Sequence, residues 1–71
     1  MKVRMEFKSG GAHSIESDDK IVIIKFFYTP TGSLKVGRIE DVLRIEVDGQ
    51  KMREMHFFSK FVKPYLKEAF A

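Results

Sequence analysis

The sequence predicts an α+β protein: an antiparallel sheet of four or five strands with a C-terminal amphipathic helix packed on one face. Three observations predict it. Apolar and charged residues alternate at the N-terminus, β-branched and aromatic residues crowd Lys20 to Thr29, and apolar residues take a 3,4 spacing from Met52 onward. The 71 residues make one small domain. A chain this short buries only about 60% of the surface its unfolded form exposes, so its core is thin.

Lys2 to Lys8 places Val3, Met5 and Phe7 on one face and charged residues on the other, the pattern of a half-buried strand. Ser9-Gly10-Gly11-Ala12 ends it, and Ser17-Asp18-Asp19 marks a second turn, with a short strand around His13 to Glu16 between them. Lys20 to Thr29 reads as the strongest strand. Val22, Ile24, Phe26 and Tyr28 would share one face, and Ile21, Ile23, Lys25 and Phe27 the other. A strand apolar on both faces is central in its sheet, which leaves a second face for an external partner to cover. Thr29-Pro30-Thr31-Gly32-Ser33 is a turn leading to a hairpin strand from Leu34 through Arg38, with Gly37 marking a bulge or a close approach. Val42 to Val47 is a further strand, ending at the turn dipeptide Asp48-Gly49.

Two readings compete after that turn. A two-residue hairpin would pair Glu46 with Lys51 and Ile45 with Met52; alternatively, helix begins almost at once. The 3,4 spacing favours a helix starting within a few residues of Arg53, with Met55, Phe58, Val62, Tyr65, Leu66 and Ala69 as its apolar face. Phe57 and Phe61 lie off that stripe, and a widened core face is preferred for them over a partner-helix or stacking role. Pro64 cannot donate to the carbonyl of Lys60, so a break is expected near Val62 or Lys63.

Composition excludes several classes. Net charge is +3, and the chain has no cysteine, hence no disulfide framework and no thiolate metal site, which points to a reducing cytoplasm. The N-terminus lacks the continuous apolar stretch of a signal peptide, so the chain is expected to be mature as written. The longest apolar run, Ile21 to Ile24, is far below the roughly 20 residues that span a bilayer. His13 and His56 fall in no zinc or nucleophile motif, and Ser14 beside His13 points to the opposite face of a strand. Asp18-Asp19 and Glu40-Asp41 read as solvated turn acids, and Gly10-Gly11 is short of any phosphate-cradling signature. No enzyme, metal or cofactor is expected.

Positive charge is the better lead. Arg53, His56, Lys60, Lys63 and Lys67 recur at 3,4,3,4 spacing and line up along one face of any helix that spans them. Lysines on an outer helix face are commonly just solvated, but acidic residues are scarce on this one, Glu54 and Glu68 falling to its flank. On the expected sheet, Lys25 and Phe27 share a face and Lys35 and Arg38 lie on or beside the next strand, an interleaving of rings and cations suited to single-stranded nucleic acid. Phe27 also reads as ordinary core, with Ile21 and Ile23 beside it and Lys25 at the edge.

The strand end Phe26-Phe27-Tyr28, the proline-x-glycine turn at Pro30 to Gly32, and Lys35 with Gly37-Arg38 resemble the strand-turn-strand of the positive-cofactor-four transcriptional coactivator family. The resemblance covers Lys20 to Arg38. It implies a small sheet protein with a C-terminal helix that dimerises and binds single-stranded DNA on its sheet. This chain departs from the family by inserting Glu40 through Lys51, and it has no arginine in the middle of the preceding strand, where Ile24, Lys25 and Phe26 stand.

The resulting expectation is a non-enzymatic protein binding single-stranded DNA or RNA. Lys25, Phe27, Lys35 and Arg38 would act on the sheet, and Lys60, Lys63 and Lys67 would contact phosphates from the helix. A homodimer would cover the surplus apolar surface. The alternative is a small protein-interaction module, an accessory or inhibitor protein of a phage or other mobile element, presenting an apolar sheet face to its partner.

Overall fold

A computed structural model describes all 71 residues. Four strands, β1 (Lys2–Phe7), β2 (Ala12–Glu16), β3 (Val42–Val47) and β4 (Gln50–Met52), form one antiparallel sheet in the order β2-β1-β3-β4. The α+β class and the C-terminal helical segment are as the sequence predicts. β1 closes against β2 through a turn in which the Gly10 amide donates to the Phe7 carbonyl at 2.9 Å, with Gly10 at φ 106°. The β3–β4 hairpin pairs Glu46 with Lys51 and Ile45 with Met52 across Asp48 and Gly49, whose φ angles of 51° and 85° are those of a type I′ turn. Both readings of this region therefore hold in succession, hairpin through Met52 and helix from Glu54.

Lys20 to Thr29 is the principal correction. Its first eight residues are helix α1 (Lys20–Phe27), not a strand. The Asp19 carboxylate caps it, accepting from the Ile21 amide at 2.9 Å, and Ile23, Ile24 and Phe27 fall on one buried face. β-branched residues weaken a helix by only tenths of a kcal/mol each, on the order of what burying one methylene repays. The inner sheet face has to be covered, and an eight-residue apolar helix covers it. The expected strand from Leu34 through Arg38 is also absent. One bridge, Tyr28 to Leu34, closes a loop in which the Thr29 amide donates to the Ser33 carbonyl at 2.8 Å. The stretch behind the family resemblance is thus a helix and a loop.

Helical residues 54–69 form four short pieces, α2 (Glu54–Phe57), a π turn (Phe58–Val62), a 3₁₀ turn (Lys63–Tyr65) and α3 (Leu66–Ala69). Pro64 explains the break at the expected place: with no amide to offer the Lys60 carbonyl, the chain widens before it, Lys63 donating to Phe58, and tightens after it, Leu66 donating to Lys63.

One core joins these elements. Val3, Met5, Phe7, Ile45 and Val47 from the sheet meet Ile23, Ile24, Phe27 and Tyr28 from α1 and its end, with Phe57, Val62 and Ala69 from the C-terminal segment. Met55, expected in the apolar face, is 76% exposed, and Phe57 takes the core position instead. The outer sheet face is not apolar. It carries Lys2, Arg4, Glu6, Arg44, Glu46 and Lys51, with Glu6 held between Arg4 at 3.4 Å and Arg44 at 3.6 Å. Alternation along β1 and β3 places these charges outward because the other parity is buried.

Candidate functional site

The expected aromatic and basic sheet surface does not form. Phe27 is 0% exposed and cannot meet a base. Lys25 is on α1 and Lys35 on the following loop, although the two are close, the Lys35 ammonium donating to the Lys25 carbonyl at 3.0 Å. Arg38 stands apart on the loop before the short 3₁₀ turn Ile39–Asp41, its Nε 3.8 Å from Glu40 in a fully solvated pair.

Rings and cations interleave on the helical layer instead. Lys20 Nζ sits 3.9 Å from the centre of the Tyr65 ring, Lys60 Nζ 5.5 Å from that of Phe61, and Lys25 Nζ 5.9 Å from that of Phe70. These three rings are each half-buried and their lysines exposed. Lys63 and Lys67 are exposed on the same C-terminal segment. The straight row of cations expected from Arg53 to Lys67 is broken, because Arg53 precedes the helix in extended conformation and the π turn shifts the helical period between His56 and Lys63.

Charge balance on this layer is one-sided. All three ion pairs of the protein use arginines, and none of its nine lysines lies within 4.0 Å of a carboxylate. Of the acids on or beside this layer, Asp19 caps α1 and Glu54 Oε2 accepts from Tyr28 Oη at 2.7 Å, while Asp18 and Glu68 are exposed. Burial, then the hydrogen bond to Glu54 and its negative charge, push the Tyr28 phenol far above its ordinary value, so it stays a neutral donor.

Between α1 and the C-terminal segment runs a half-open groove of about 340 Å³. Ile23, Ile24 and Phe57 form its floor, Met1, Phe61 and Tyr65 its sides, and Lys20 and Lys60 its polar edge. Sequence reasoning gives Lys20, Tyr65 and Phe70 no binding role, and for Phe61 it prefers core packing to stacking. The available signal was Asp19 as a helix cap, after which Lys20, Ile23, Ile24 and Phe27 share one helical face.

No group of three or more His, Asp or Glu side chains is gathered to hold a metal, and no helix is long and apolar enough to cross a membrane. Compared with protein-family models, with curated proteins and with solved structures, the chain matches none of them.

Proposed function

We propose that this is a non-enzymatic module that binds single-stranded nucleic acid on its helical layer. The observation that supports it is the set of exposed lysines there, Lys20, Lys25, Lys35, Lys60, Lys63 and Lys67, none of which is ion-paired. Three of them sit beside half-buried rings. Phosphates supply the charge these lysines lack, and rings supply faces for unstacked bases. Lys25, Lys35, Lys60, Lys63 and Lys67 keep the role expected of them on a different surface, while Phe27 leaves the set and Arg38 stands outside the cluster.

The protein-interaction alternative required an apolar sheet face, and the outer face is charged. A homodimer through that face needs the same surplus of exposed apolar surface. The large apolar side chains left exposed are Val22, Ile39, Leu43 and Met55, on four separate elements, and the nucleic-acid reading needs no second copy.

Anisotropy of a labelled single strand titrated across salt tests the reading. Six neutralised phosphates give a log-log slope of about −4, and engagement of four gives about −3. Affinity indifferent to salt, or no binding at low salt, removes it.

A further inference from the structure

We propose that the outer edge of β2 pairs with the β2 edge of a second copy of this chain, joining the two sheets by backbone hydrogen bonds about a two-fold axis at Ser14. This stands independently of the nucleic-acid reading, and it differs from the homodimer expected from the sequence in using a strand edge in place of an apolar sheet face.

The pairing of β1 with β2 leaves one row of backbone groups free. Met1 and Ser17 exchange both of their bonds at 3.0 Å, and the Phe7 amide donates to the Gly11 carbonyl at 2.8 Å. Antiparallel ladders alternate, so between those pairs His13 and Ile15 turn their amides and carbonyls to β1, while Ala12, Ser14 and Glu16 turn theirs outward. No other group of the chain bonds to those outward amides and carbonyls. Exposed strand edges are ordinarily blunted by lysine, proline, a bulge or shortness. β4, at the opposite edge, has three residues and carries Lys51, whereas β2 has five residues, no Lys or Pro, and an unbroken register with β1.

The strand itself selects a second copy and the register. Antiparallel self-pairing centred on Ser14 sets Ala12 against the partner's Glu16 at both ends, using all three outward residues of each copy and facing no like charges. Registers shifted by two residues either way use only two of the three. Half-buried Ile15 then meets the partner's His13 in a non-hydrogen-bonded pair, where side chains stand closest. α1 adds apolar surface toward the same edge. It packs on the β2 half of the sheet while α2 packs on β3, and Lys20 and Lys25 mark its flank turned to the C-terminal segment through their contacts with Tyr65 and Phe70. Val22 and Phe26, one turn apart, lie on the other flank, Val22 45% exposed and Phe26 half-buried. A two-fold axis at Ser14 runs perpendicular to the sheet, so both helical layers fall on one side of the joined sheet with these flanks toward each other.

The test is sedimentation velocity of the full chain from low to high micromolar concentration, with amide hydrogen exchange followed by NMR on the same samples. A shift from monomer to dimer with rising concentration is expected, and with it slower exchange at Ala12, Ser14 and Glu16, while His13 and Ile15, already bonded to β1, change little. Ser14→Pro removes one outward amide from each copy, hence two bonds at the axis, and is expected to weaken dimerisation by about tenfold. Proline is tolerated at edge positions whose amide faces solvent, and the exchange measurement uses the unaltered protein and does not depend on the variant folding. A monomer at every concentration overturns the proposal. A dimer whose three edge amides exchange as fast as in the monomer, or a folded Ser14→Pro that dimerises with native affinity, overturns the choice of surface.

Discussion

Tyr28 Oη donates to Glu54 Oε2 at 2.7 Å, tying the end of α1 to the first turn of α2 from inside the protein. Tyr28 is fully buried, and its ring stacks near Phe57 at 6.5 Å between centres and contacts Phe58 at 5.5 Å. The two helical elements that flank the groove are thereby held in fixed relation. Tyr28→Phe keeps the ring and removes the donor, and is expected to cost about 1.5 kcal/mol in urea unfolding, the lower end for a bond to a charged group because Glu54 can regain water.

The same phenol makes stability depend on alkaline pH. Its folded value is raised, so the folded state holds a proton that the unfolded chain releases near the ordinary tyrosine value of about 10. The contribution is complete below that pH and is lost as pH rises above it. Urea unfolding followed through this range is expected to show a steeper decline for the native chain than for Tyr28→Phe. Parallel curves would show that Tyr28 ionises freely in the fold.

Gly37 is held by contact rather than by backbone angle. A Cβ there would stand 2.6 Å from Cε1 and 2.9 Å from Cζ of Phe7, whose ring is buried in the core and cannot step aside. Gly37→Ala is expected to destabilise by about 1–3 kcal/mol through overpacking. Gly11, where a Cβ meets nothing within 4 Å, is the control: Gly11→Ala should leave stability level or raise it by up to about 1 kcal/mol.

Asp19 starts α1 and so positions Lys20 and Lys25. Asp19→Ala removes the acceptor for the Ile21 amide and is expected to cost about 1 kcal/mol, with Asp19→Asn close to native because its side-chain oxygen caps as well. Equal losses in the two variants would mean that charge, not capping, stabilises this end.

Replacing Lys60, Lys63 and Lys67 together by glutamine removes charge from exposed positions and leaves the core untouched. The thermal midpoint is expected to stay within a few degrees of native, while the salt slope for a single strand shrinks by about 2. An unchanged slope would place the strand elsewhere on the protein.

Local chemistry made part of this protein legible from its residues. β1 and β3 show in the alternation of Val3, Met5, Phe7, Ile45 and Val47, since a strand with one wet face must repeat every second residue, and β2 shows in the turns at Gly10-Gly11 and Ser17-Asp18-Asp19 that bound it. Asp48-Gly49 encodes its hairpin because few other pairs accept two positive φ angles, and Pro64 encodes the break because it has no amide. The close approach at Gly37 was visible too, though not that Phe7 causes it. Lys20 to Phe27 is different: eight mostly apolar residues fit a buried strand or a buried helix equally well, and their β-branched members lean toward the strand. Only assembly resolves that, because the β1–β3 pairing leaves an inner face that a helix can cover while a fifth strand would leave it bare. That one choice buries Phe27, turns the outer sheet face into a charged surface, and gathers Lys20, Lys60, Phe61 and Tyr65 around a groove from positions up to 45 residues apart. Spacing along a chain reports which residues share an element, and which elements share a surface is decided by how the core closes.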